Sequence, residues 1–127
     1  MRILRNIDIE DAIRVALANH IQAYCRPLPQ KPVFPCILVQ RVGGTDTATI
    51  DTFEVVLDSR AKTEAEADLT LRNAIGILRT IAARRTTPLR HITVNTSGSW
   101  GVDPVRPDLA MCSARISVTA HLENVEV

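Results

Sequence analysis

Aromatic residues are nearly missing from this chain: one Trp, one Tyr and two Phe in 127 residues. A core must therefore be built from Ile, Leu, Val and Ala. Base-stacking platforms for single-stranded nucleic acid, which need aromatic side chains, find no support. Lysine is scarce too. Only Lys31 and Lys62 are present, and Arg carries nearly all positive charge, a side chain suited to bidentate pairing at interfaces. Charge of one sign is not in excess. The formal net charge is +1, which argues against a dedicated nucleic-acid binder. The three cysteines, Cys25, Cys36 and Cys112, form no C-x-x-C pair, and an odd number fits neither a disulfide framework nor a zinc site. They read as buried free thiols in a reducing cytoplasm. No stretch approaches the roughly 20 apolar residues of a membrane span. The start, "MRILRNIDIEDAIR", has no apolar run of signal-peptide length. A soluble product made in the cytoplasm is expected.

What is there is a 46% hydrophobic chain of a length suited to one compact domain, residues 1–127. Residues 8–24, "DIEDAIRVALANHIQAY", place Ile9, Ala12, Ile13, Ala16, Leu17, Ile21 and Tyr24 at helical spacing behind an Asp8 N-cap. "CRPLPQKPVFP" follows. Its four prolines forbid a helix and predict an extended surface arm over 26–35. "CILVQRV", 36–42, reads as a strand, and "GGTDTATID" begins as a turn. "TFEVVLDSR", 52–60, alternates, with Phe53, Val55 and Leu57 on one face and Glu54, Val56 and Asp58 on the other. These two strands are expected to form an antiparallel hairpin.

Thr63 followed by Glu66 is a capping box. Ala67, Leu71, Ala74, Ile75, Leu78, Ile81 and Ala82 then mark one apolar stripe of a long helix ending at "ARRTTP". Gly76 inside it suggests a close approach of helix to sheet. "HITVNT", 91–96, reads as a third strand, "SGSWGVDPVRPD", 97–108, as a long Gly/Pro/Asp loop, and "MCSARISVTAHL", 111–122, as a fourth strand. The predicted fold is α+β: helix-strand-strand-helix-strand-strand, with helices on one face of a mostly antiparallel sheet of about four strands.

Catalytic constellations are weak. His20, His91 and His121 show no metal-binding spacing. Ser97 and Ser99 lack the strand-to-helix elbow of a nucleophilic serine. Gly43 and Gly44 precede no helix and cannot cradle a phosphate. Asp51, Glu54 and His91 are the residues an enzyme would use, and Arg84 and Arg85 those of a nucleic-acid binder. The long arm and the long loop point instead to contact with other chains, and Trp100 has the character of an interface anchor.

The segments "FPCILVQRVGG", "IDTFEVVLDSRAKTEAEADLTLRNAIGILR" and "SGSWGVDPVRPDLAMCSARISVTAHL", in this order and spacing, resemble the small tail terminator proteins of long, non-contractile-tailed bacteriophages. The resemblance runs along residues 8–122. In place of the aromatic residue that related sequences often carry in the last strand stands "MCSARISV". The resemblance implies a virion protein made in the host cytoplasm. It would form a ring, typically a hexamer, at the head-proximal end of the tail, stop tail-tube polymerisation and offer the surface that joins the head. Its partners would be further copies of itself, the major tail tube protein and the head-closure or connector protein. DNA would pass through the ring without sequence-specific binding, and no membrane is involved. No catalytic, cofactor or metal residue carries over. Arg41, Glu54, Asp58, Arg60, Trp100 and Arg115 are the candidate contacts between subunits or with partners. A head-closure or other neck connector is the nearest alternative. A small cytoplasmic enzyme or a nucleic-acid-binding domain is the alternative of another class.

Overall fold

Alternation of apolar and polar residues sets the centre of the molecule. The computed structural model describes residues 1–46, 50–103 and 106–127. In chain order its elements are β1 (Arg2–Arg5), α1 (Ile9–Leu17), β2 (Gln22–Cys25), β3 (Cys36–Asp46), β4 (Ile50–Ala61), α2 (Glu64–Arg84), β5 (Leu89–Val102), β6 (Ala110–His121) and β7 (Glu123–Glu126). The architecture is α+β. A five-stranded sheet runs β2-β3-β4-β6-β5, and β1 and β7 form a separate two-stranded ribbon. β4 is the middle strand. Phe53, Val55 and Leu57 are buried along one face, as the alternation requires.

The β3–β4 hairpin forms with Cys36 opposite Arg60 and Asp46 opposite Asp51. A bulge falls between Arg41 and Gly43. Gly44 has φ +145, and a Cβ there would sit 2.4 Å from the Thr52 carbonyl oxygen. The turn expected from Gly43 is instead strand as far as Asp46, and residues 47–49 lie outside the described residues.

Helix α2 begins as the capping signal requires: the Thr63 hydroxyl accepts the Glu66 N–H at 3.2 Å. It closes with Arg85 in the left-handed region at φ 56. Its buried stripe, Ala67, Leu71, Ala74, Ile75, Leu78 and Ala82, joins one core cluster with Ile9, Ile13 and Leu17 of α1 and the inward residues of β3–β6. Both helices therefore cover the same face of the sheet. Burying each Leu, Ile or Phe side chain contributes roughly 1.5–3 kcal/mol. Ser59 is fully buried on this face, where its hydroxyl donates to the Ala67 carbonyl at 2.8 Å, tying β4 to the first turn of α2.

Four expectations need correction. The first helix stops at Leu17, not at residue 24. His20 and Ile21 donate their N–H groups back to the Leu17 carbonyl, and Gln22–Cys25 pairs in parallel with Cys36–Val39. Burying Ala23 beside Ile37 outweighs the helical spacing of Ile21 and Tyr24. The sheet accordingly has five strands and is mixed. The loop predicted over 97–108 is strand as far as Val102: Ser99, Trp100, Gly101 and Val102 face Ser113, Cys112, Met111 and Ala110. Register shifts absorb the Ser-Gly content, and Gly98 takes φ +76. Residues 104 and 105 of that predicted loop lie outside the described residues. Finally, Gly76 does not serve a close helix–sheet approach. It is exposed, and a Cβ there would meet nothing within 4 Å.

Candidate functional site

The pairing register decides which side chains share the uncovered face of the sheet. Cross-strand partners point to the same side. Glu54, Val56, Asp58 and Arg60 of β4 lie beside Ser117, Arg115, Ser113 and Met111 of β6, and Gln40 faces Val56 from β3. Neither helix packs on this side.

Both of its carboxylates are paired within the chain. The Ser117 hydroxyl donates to Glu54 Oε1 at 2.6 Å. Asn95 of β5 donates to Glu54 Oε2 at 3.1 Å and to the Ser117 hydroxyl oxygen at 2.7 Å. Arg115 Nε lies 3.8 Å from the same carboxylate. Four residues along β4, Gln40 Nε2 and the Ser113 hydroxyl donate to the two oxygens of Asp58 at 2.6 and 2.5 Å. Neighbouring strands thus hold both carboxylates in fixed orientations, which lowers the ordering entropy a contact would otherwise lose.

At the far end of this face Arg60 Nε donates to Asp103 Oδ2 at 2.9 Å, with both side chains about nine-tenths buried. Arg60 Nη1 is buried without a hydrogen-bond partner among the described residues. The proline arm lies beside this pair. Tyr24 accepts the Val33 N–H on its hydroxyl oxygen at 3.0 Å, pinning the arm. Leu28, Pro29, Pro32 and Phe34 wall a cavity of about 530 Å³ with Arg60, Asp103 and Arg106. Arg106 stacks over Phe34, 5.8 Å from the ring centre, while its guanidinium holds Asp108. Burial pushes the Cys36 thiol up to about 11, against the opposing charge of Arg60.

Of the six sequence-derived contact residues, the structure brings Glu54 and Arg115 together and places Asp58 and Arg60 on the same face. Arg41 stands elsewhere. It lies over the Phe53 ring at 4.9 Å on the helix-covered side, lining a cavity of about 170 Å³ with Asn6, Thr45 and Asp51. The Arg41 N–H and the Arg26 guanidinium both reach Glu10 Oε2, at 3.0 and 2.8 Å. Burial pushes the Glu10 carboxyl up, but these two partners outweigh it and hold the group below its ordinary value. Trp100 is half exposed on the edge strand β5, not on a loop. Sequence reasoning missed Asp103, Asn95, Gln40, Ser113 and Ser117. Alternation alone put the two serines on the outward side, but only the β4–β6 register brings them to the carboxylates.

The enzyme candidates do not converge. Asp51 faces the core side of β4, opposite to Glu54, and takes the Asn6 amide at 2.5 Å. His91 lies opposite Thr119, displaced along the strand from Glu54. Among the described residues no group of three or more His, Cys, Asp or Glu side chains is placed to hold a metal ion, and no helix is long and apolar enough to cross a membrane. No protein-family model and no curated protein matches the chain.

Proposed function

We propose that this protein is a structural part of a phage tail, a terminator subunit that assembles as a ring at the head-proximal end of the tail tube. The observation that carries the proposal is the pre-paired open face of the sheet, bounded by an arm pinned through Tyr24 and by the buried Arg60–Asp103 pair. Oriented carboxylates and a clamped arm suit a surface that must fit other chains in one register. The resemblance of residues 8–122 to tail terminators supplies the identity of those chains: neighbouring copies, the tube protein and the connector. In this reading Glu54, Asp58 and Arg115 contribute polar contacts across the sheet face, and Trp100 contributes apolar area at its edge.

Gold-labelled antibody against the protein, applied to purified particles, tests the placement. Label at the head–tail junction is expected. Label confined to the distal tip or the capsid, or particles that carry none of the protein, contradicts it.

A further inference from the structure

The exposed side of α2 is divided by charge along its length, beyond the end charges that the helix dipole favours. Its three acids, Glu64, Glu66 and Asp68, all lie in the first two turns, and its three bases, Arg72, Arg79 and Arg84, all follow. Asp68 and Arg72 pair with each other at 2.9 Å. Among the described residues Glu64, Glu66, Arg79 and Arg84 enter no ion pair. Helical spacing stacks Ala65, Leu69, Arg72, Gly76 and Thr80 on one stripe, and Leu69 is exposed on it at 49%. Beside Gly76 the end of α1 and the second half of α2 leave a groove of about 540 Å³. Ile21, Ile77 and Ile81 line it together with His20, Gly76 and Arg84, and its lining includes no carboxylate. Glycine is the worst non-proline residue for a helix interior. Nothing inside this molecule requires it here, because a Cβ at Gly76 would enter open space. A contact made from outside would require it.

We infer that this groove is the seat of a second copy of the chain: the acidic first two turns of α2 from one copy, with Leu69 exposed among them, lie against Gly76, the three isoleucines and the basic second half of α2 in the next. The acids of one copy then meet Arg72 and Arg84 of its neighbour, the two bases that line the groove, and the missing side chain at Gly76 lets the two backbones approach. The two surfaces differ, so the contact is head-to-tail and repeats around a closed ring. The inference rests on the ring reading for closure, and on the charge split and Gly76 for the surface itself.

The test measures particle mass by mass photometry and sedimentation at low salt, with circular dichroism melting to confirm folding. Wild-type protein is expected to form assemblies larger than a dimer that dissociate at high salt. Reversing one side, with Arg72→Glu and Arg84→Glu or with Glu64→Arg and Glu66→Arg, should weaken association about a hundredfold or more, because like charges then face each other. Combining all four reversals in one chain should restore it. Gly76→Ala should remain folded, melt at a higher temperature and associate more weakly. Rings that persist in both double reversals overturn this contact and leave the ring reading standing. A wild-type assembly that stops at a dimer overturns head-to-tail pairing. A wild-type monomer at every concentration overturns both the contact and the ring.

Discussion

Arg60 and Asp103 show how much one buried pair decides. Each removes the other's uncompensated charge from the space beneath the proline arm. Asp103→Ala strands the Arg60 guanidinium, and such a break costs about 3–5 kcal/mol. Urea unfolding should show that loss, whereas Arg106→Ala, which removes a surface pair with Asp108, should unfold almost as wild type does. Gly44 is as demanding for a steric reason. Its φ of +145 and the 2.4 Å clearance from a Cβ to the Thr52 carbonyl predict that Gly44→Ala destabilises by more than about 1 kcal/mol; its unfolding midpoint is the check. Cys36 supplies a pH dependence. Burial raises its thiol from the ordinary 9.0 to about 11, so the unfolded chain ionises first. The stability it contributes is complete below pH 9 and is lost as pH rises through about 11, on the order of 2 kcal/mol. The fall in unfolding free energy over that window should be smaller in Cys36→Ala than in wild type. None of these partners was legible in the sequence, since each lies across strands whose register no local pattern encodes.

Among the elements, those whose own residues specify them were legible. Strand β4 could be read from its alternation and α2 from Thr63, Glu66 and its apolar stripe. Thr63→Ala should remove the cap and cost about 1 kcal/mol in thermal or urea unfolding, while Gly76→Ala should add about 1 kcal/mol. Elements that exist only through their neighbours were not legible. Strand β2 is four residues long and lies where two apolar side chains happened to continue a helical spacing; only its ladder with β3 makes it a strand. The end of β5 carries Ser, Gly and Trp, a loop composition, and is held extended by β6. β1 and β7 lie at opposite ends of the chain, and Arg5 facing Glu123 at 2.5 Å is the kind of link that no local window contains. The candidate site was half visible for the same reason. The outward positions of Glu54, Asp58 and Arg115 follow from alternation, but the grouping of Glu54 with Arg115 and the separation of Arg41 required the register.

At the scale of the whole molecule, one helix-covered face holds the fold together, while the other presents oriented polar groups between an edge strand and a clamped arm. Such a division suits a rigid ring subunit whose work is done by contact. The proposed role has a direct readout in the particle. The measurement is the tail-length distribution, by negative-stain electron microscopy, in a lysate of the phage or prophage from which this gene has been deleted. The account predicts abnormally long tubes beside tailless, DNA-filled heads, with normal tails restored when the gene is supplied in trans. Tails of normal length detached from heads would assign the protein to head closure instead. Intact, infectious particles would contradict the structural role altogether.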